Sequence, residues 1–320
     1  MVVLGGVTRL TGSGLSITDW KPVTGVIPPL SADDWADEFE RYRASPEFRH
    51  VNPHMDVHLF KGIYWLEYLH RLLGRIIGVV FLVPFLVFAA SGSIRRRDWP
   101  IYLTMFLLGG LQGVLGWYMV QSGLVDVPEV SQYRLVAHLV AALAIYAFMF
   151  WVALSLLHPR RERARHPAFG RAAALVALVA LTVVSGGFVA GLDAGHIFNS
   201  FPRMGEHWLP PGAFALAPAW RNFFENPILV QFDHRLLAIC TLIAVCVFWS
   251  ALGRHALTRR ARSARHLLLT VVILQAALGV GTLLLRVPLA LAATHQAVAV
   301  LLLTAALYAA HALREPALAD

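Results

Sequence analysis

The sequence predicts an all-α polytopic membrane protein made of two tandem four-helix bundles. The bundles are expected to be related by a pseudo-two-fold axis along the membrane normal, with the first helix largely absent from the sequence. Three observations predict this fold: long apolar blocks, arginine-rich segments that fall between alternate blocks, and a chain that matches itself, in order, from one half to the other.

Of the 320 residues, 58% are hydrophobic and 14% charged, and the mean hydropathy is +0.61. A soluble domain carries about a quarter charged residues, so a single large soluble core is excluded. A span needs about 20 apolar residues. Seven stretches qualify: 64–90, 101–121, 133–157, 172–191, 228–252, 266–285 and 289–310. Residues 1–7 are apolar but too short to cross; they read as the tail of a further helix whose beginning precedes this sequence, which makes the expected count eight.

The net charge is +8. The arginines lie between apolar blocks, as topology signals do, and form no patch suited to nucleic acid. Arg95, Arg96 and Arg97 occupy one connection. Arg160, Arg161, Arg163, Arg165 and Arg171 occupy a second, and Arg254, Arg259, Arg260, Arg262 and Arg265 a third. These connections are expected in the cytoplasm, together with the C-terminus. The connections 8–63, 122–132, 192–227 and 286–288 are expected outside, with membrane lipid around the spans. Within the first, residues 31–43 carry a helix start at Ser31 and set Trp35, Phe39 and Tyr42 on one face, as for a helix lying on the bundle or the membrane surface.

The self-resemblance has four parts. Gly5-Gly6-Val7-Thr8 matches Gly186-Gly187-Phe188-Val189. Glu67-Tyr68-Leu69-His70-Arg71-Leu72-Leu73 matches Gln231-Phe232-Asp233-His234-Arg235-Leu236-Leu237. Leu111-Gln112-Gly113-Val114-Leu115-Gly116 matches Leu274-Gln275-Ala276-Ala277-Leu278-Gly279, and His138 matches His295. The matches keep their order, which argues for duplication of a four-helix unit. They divide the chain into residues 1–157, a cytoplasmic linker 158–171, and residues 172–320. An even number of spans separates the matches, so both halves enter the membrane in the same direction.

His70, His138, His234 and His295 lie inside spans, where an ionisable group is a functional hypothesis by default. Each half supplies two, each about 9 Å below the outer end of its predicted span. Paired imidazoles on facing helices suit a haem iron, whereas zinc or copper would want a third or fourth ligand. Arg71 and Arg235 follow two of the histidines; they read either as partners of haem propionates or as interfacial arginines reaching toward water. Glu67 stands one turn before His70, where its counterpart is Gln231. It reads either as a proton acceptor beside one haem or as a helix-start residue paired with an arginine.

Other candidates are weaker. His50, His54 and His58 have helical spacing, but Pro53 interrupts it and a solvated loop is the expectation. Cys240 and Cys246 share one apolar block, read as small core residues and not as a disulfide.

The segments GGVTRLTGSGLSITDWKPVTGVIPPL, WLEYLHRLLGR, GLDAGHIFNSFPRMGEHWLPP, QFDHRLL and ATHQ closely resemble the haem A synthase family over essentially the whole chain. Without a cysteine pair in the first outer loop, the chain is similar to the proteobacterial and mitochondrial branch. The resemblance implies oxidation of the C8 methyl of haem O to a formyl group, giving haem A for cytochrome c oxidase. It implies that His70 and His138 hold the substrate haem O, that Glu67 is the catalytic carboxylate, and that His234 and His295 ligate a haem b cofactor that relays electrons. It further implies an inner-membrane location, haem O synthase and cytochrome oxidase assembly factors as partners, and leaves self-association open. Two other readings remain: a di-haem b-type cytochrome for quinol-linked electron transfer, which leaves the Glu67/Gln231 asymmetry unexplained, and a haem carrier, which would favour a site nearer the bilayer midplane.

Overall fold

The structure is a computed structural model that describes residues 1–125, 128–159 and 165–314. Among the described residues it is helical, with no strand. In order, the helices are α1 (Val2–Leu10), α2 (Ala32–Arg43), α3 (Pro46–His50), α4 (Val57–Ala90), α5 (Trp99–Gln121) and α6 (Gln132–Leu157). They continue with α7 (Phe169–Gly191), α8 (Asn222–Glu225), α9 (Pro227–Leu252), α10 (Arg259–Leu284) and α11 (Leu289–Ala312). Seven of them are long and apolar enough to cross a membrane. Their outer faces leave Val80, Leu107, Ile243 and Val247 more than half exposed. A protein in water rarely leaves so much apolar surface uncovered, so this is the architecture of a polytopic membrane protein. Arg160, Arg161 and Arg163 of the second basic connection lie outside the described residues.

The chain divides into two compact units, Met1–Ile145 and Tyr146–Asp320, and the division falls within α6. In the second unit α7 packs on α9 and α11, and α10 packs on the same two helices, closing a four-helix ring. Small buried residues of α11, among them Ala305, Ala306, Ala309 and Ala310, let backbones approach closely. A hydroxyl pair, Thr182–Thr241 at 2.8 Å, joins α7 to α9. In the first unit α4 packs against α1, α2 and α5.

Two helices start well before the apolar bands that announce them. The helix expected at residue 64 begins at Val57, where the Asp56 side chain accepts from the backbone N–H of Leu59. The helix expected at residue 266 begins at Arg259, capped by Thr258. Hydropathy registers the lipid-facing length and misses overhangs that are amphipathic or charged. The α4 overhang has its own core: Phe60, Tyr64 and Tyr68 pack with Trp35 and Tyr42 of α2 and with Ile17. Helix α2 thus lies on the end of α4, started by a capping box between Ser31 and Asp34. Counted from its helix end, His70 is about 20 Å along α4, against about 9–10 Å for the other three histidines.

Cys240 and Cys246 are free and exposed on α9, where core positions were expected. In a membrane bundle the outside is as apolar as the inside, so composition does not separate the two faces.

Candidate functional site

Each of the four intramembrane histidines rests its ring edge on a glycine of a neighbouring helix. A Cβ built on Gly5 of α1 would stand 2.9 Å from Cε1 of His70, and one on Gly116 of α5 would stand 3.1 Å from Cε1 of His138. In the second unit, a Cβ on Gly186 of α7 would be 3.0 Å from His234, and one on Gly279 of α10 would be 2.9 Å from His295. Any larger residue would push the imidazole aside. Within each unit the two imidazoles lie within electrostatic reach of each other, His70 with His138 and His234 with His295.

The glutamine one turn before the α5 or α10 glycine completes the pattern. Gln112 Nε2 donates to the backbone carbonyl of His138 at 2.8 Å and lies 3.1 Å from its Nδ1; Gln275 Nε2 lies 3.4 Å from Nε2 of His295. The repeated letters were visible in the sequence, but their chemistry was not. A residue type inside a span does not say which neighbour it meets.

One assignment of hydrogens satisfies both contacts of Ser185, and it selects a tautomer of His234. Ser185 Oγ has one proton and donates it to the carbonyl of Thr182 at 2.8 Å. Toward His234 Nδ1, 2.8 Å away, the oxygen is therefore an acceptor. In that assignment Nδ1 carries the hydrogen, and the lone pair sits on Nε2.

Glu67 and Arg71 are paired with each other, and Glu67 is closed off from solvent. The carboxylate is 3% exposed. Its Oε2 accepts from the Ser16 hydroxyl at 2.7 Å and the Ile17 N–H at 2.8 Å, and its Oε1 accepts from Nε and Nη2 of Arg71 at 3.0 and 2.6 Å. Arg71 also donates to the carbonyls of Ile17 and Asp19, and Arg75, one turn on, to those of Lys21 and Pro22. One face of α4 thus grips the loop 16–22.

The second unit repeats the grip. Arg235 donates to the carbonyls of Phe198, Ser200 and Arg203, and Gln231 donates to Phe198. Phe198 and Ser200 stand at the same spacing from Ile17 and Asp19 as Gly186 does from Gly5. The correspondence extends to the preceding turn, where Gly12 and Asp193 both adopt positive φ just past a helix end, at +62° and +48°. Both arginines read as propionate partners therefore have main-chain duties, although Arg235 Nε keeps no partner.

Outside the spans, burial pushes the Glu47 carboxyl up to about 7, opposed by a hydrogen bond from Tyr42 and reinforced by the charge of Glu67. His50 ends α3 and His58 lies in the first turn of α4. Among the described residues no group of three or more metal-ligating side chains is gathered.

The arrangement suits a flat prosthetic group better than a bare ion. Each unit holds two imidazoles within electrostatic reach of each other, and glycines clear the space beside their rings. Buried polar atoms also lack protein partners: Nδ1 of His70 and His295 and the Oε1 atoms of Gln112, Gln231 and Gln275. A bis-imidazole donor set with apolar surroundings fits haem iron.

Comparison with known proteins agrees in kind. The family described as cytochrome oxidase assembly protein, COX15-CtaA, matches residues 1–307. A haem A synthase of Nitrosospira multiformis is 53% identical, over 98% of this chain and 89% of the relative. The human protein named haem A synthase COX15 is 46% identical, over 98% of this chain and 79% of its own length, and that of Arabidopsis thaliana is 47% identical, over 99% and 72%. No solved structure matches the chain.

Proposed function

Since the chain belongs to the COX15-CtaA family of cytochrome oxidase assembly proteins, we propose that it is a haem A synthase that oxidises the C8 methyl of haem O to a formyl group. The observation that carries the reading is the set of four glycine-seated histidines, two in each unit. Overall, R–CH3 and water give R–CHO with release of four protons and four electrons, the electrons being taken by an external electron acceptor. The first oxidation leaves an alcohol, the second a gem-diol, and the diol loses water.

In this reading His70 and His138 hold the iron of the substrate haem O in the N-terminal half, residues 1–157. Glu67 is the catalytic carboxylate. Its four donors keep the charge at one point, beside a methyl carbon that becomes electron-poor as it is oxidised. Taking a proton requires one donor to yield, and the Ser16 hydroxyl is the donor free to rotate. Arg71 orients the carboxylate and ties it to the loop 16–19.

In the C-terminal half, residues 172–320, His234 and His295 would hold a haem b, which supplies one-electron relay chemistry when bound. Gln231 stands where Glu67 stands in the other half and has no carboxylate to offer, which supports giving that half the relay and not the oxidation. Arg235, through its open Nε, is the donor for a propionate there; Arg71 would share what its loop carbonyls leave.

The reading includes an inner-membrane location, periplasmic long loops and a cytoplasmic C-terminus, supported by the arginine-rich short connections. Haem O synthase would supply the substrate, and cytochrome oxidase assembly factors would take the product. The test is direct: express the chain with a source of haem O, extract the haems and weigh them. Haem A should form, and haem O left unconverted would overturn the proposal.

A further inference from the structure

His70 and His234, the corresponding histidines of α4 and α9, are treated differently, and for this pair the difference lies in one side chain. In the second unit Ser185 precedes the glycine that seats His234, and its oxygen lies 2.8 Å from Nδ1, placed to accept the Nδ1 hydrogen. Ser185 is itself anchored, because its proton goes to the Thr182 carbonyl one turn back. In the first unit the residue preceding the seating glycine is Leu4. It has no hydroxyl, and Nδ1 of His70 has no hydrogen-bond partner. The glycine seats agree closely, 2.9 Å at Gly5 and 3.0 Å at Gly186, so the contrast is in the hydrogen bond and not in the packing.

We propose that Ser185 is a positioning residue that makes His234 a permanent haem ligand, and that Leu4 leaves His70 a releasable one. This rests on the proposed function, in which the second half keeps its haem and the first exchanges substrate for product. An acceptor at Nδ1 does three things to an imidazole. It selects the tautomer whose Nε2 lone pair can bind iron, holds the ring in plane, and raises the basicity of the ligating nitrogen. Partners of this kind are worth about 10–100-fold in metal affinity. A resident group gains from all three. A substrate site gains from none of them, because product must leave before the next substrate binds, and every factor of affinity lengthens its stay. A hydrophobic residue at Leu4 keeps the helix contact and withholds the hydrogen bond.

The test uses the full chain, purified in detergent with its haem bound, and follows transfer of haem to excess apomyoglobin together with the midpoint potential. Ser185→Ala should lose the second-half haem about 10–100-fold faster, and its potential should move upward as the imidazole becomes a weaker donor. Ser185→Thr keeps a hydroxyl and should restore both values. Leu4→Ser places a hydroxyl opposite His70 and should slow the loss of haem O by about tenfold or more. This arm remains informative if Ser185→Ala fails to fold.

An unchanged off-rate and potential in Ser185→Ala, or an unchanged haem O off-rate in Leu4→Ser, would overturn the proposal. His234→Ala separates the two levels. If that variant keeps its full complement of resident haem, the underlying reading fails. If it loses that haem while Ser185→Ala behaves as the parent, only the role of Ser185 fails.

Discussion

Gly279 and His295 meet main chain to ring: a methyl group on that glycine would lie 2.9 Å from the imidazole carbon Cε1. The contact is between an immobile backbone and a side chain whose position sets where iron can bind. Gly279→Ala should therefore displace the ring and weaken the second-half haem while leaving the helices in place. Overpacking of this kind costs about 1–3 kcal/mol, and the Soret absorbance per mole of purified protein should fall. Gly281 of the same helix has open space beside it, so Gly281→Ala is the control expected to behave as the parent.

Glu67→Gln should abolish haem A formation while the second-half haem stays in place, read by mass analysis of extracted haems. Unchanged conversion would remove Glu67 from the chemistry. Glu67→Ala should do more: both variants remove the anion that faces Arg71, but Gln keeps one carbonyl acceptor for the donors of Ser16, Ile17 and Arg71, and Ala keeps none. Breaking a buried pair from one side costs about 3–5 kcal/mol. Thermal unfolding in detergent should show a larger drop for Glu67→Ala than for Glu67→Gln.

Arg235→Ala should free the loop that carries Phe198, Ser200 and Arg203. Hydrogen bonds from a charged donor are worth about 1.5–3 kcal/mol each, so amide exchange around residues 198–203 should rise by about tenfold or more. Arg235→Lys should not restore protection. A single ammonium cannot reproduce a planar fork that spans three carbonyls.

Glu47 gives the outer cap a pH dependence. Its folded pKa, pushed up to about 7 by burial, lies above its value in an unfolded chain. The folded state therefore holds the proton more tightly. Below about pH 4 both states are protonated and the group contributes no penalty. As pH rises toward 7 the unfolded chain ionises first, and stability is lost across that window. Thermal stability should be higher at pH 5 than at pH 8, and Glu47→Gln should flatten the difference, worth up to about 3 kcal/mol.

The sequence made the helices and the repeat legible because both are written in side-chain character. Apolar length marks a span, and His70, His138, His234 and His295 stand out against it. The starts of α4 and α10 were not legible, because residues 57–63 set His58 and Lys61 among apolar residues and residues 259–265 are rich in arginine, so each continues its helix past the unbroken apolar band. The grip of Arg71 and Arg235 was missed for a different reason. Its acceptors are carbonyls of Ile17, Asp19, Phe198 and Ser200, and a carbonyl has no signature in residue type. Glu67 was legible as a special carboxylate; that it holds a loop through Ser16 and Ile17 was not.

Helix α4 runs without interruption from the aromatic cap formed with α2 to the opposite side of the bilayer, 34 residues in one rod. Pro84, the one proline inside it, lies beyond His70, so no hinge separates the outer end from the histidine. Whatever docks on the exposed face of the cap, and tilts or twists it, must carry the stretch of α4 that bears Glu67 and His70 along with it. The extramembrane cap is in this sense a handle on the reaction chamber.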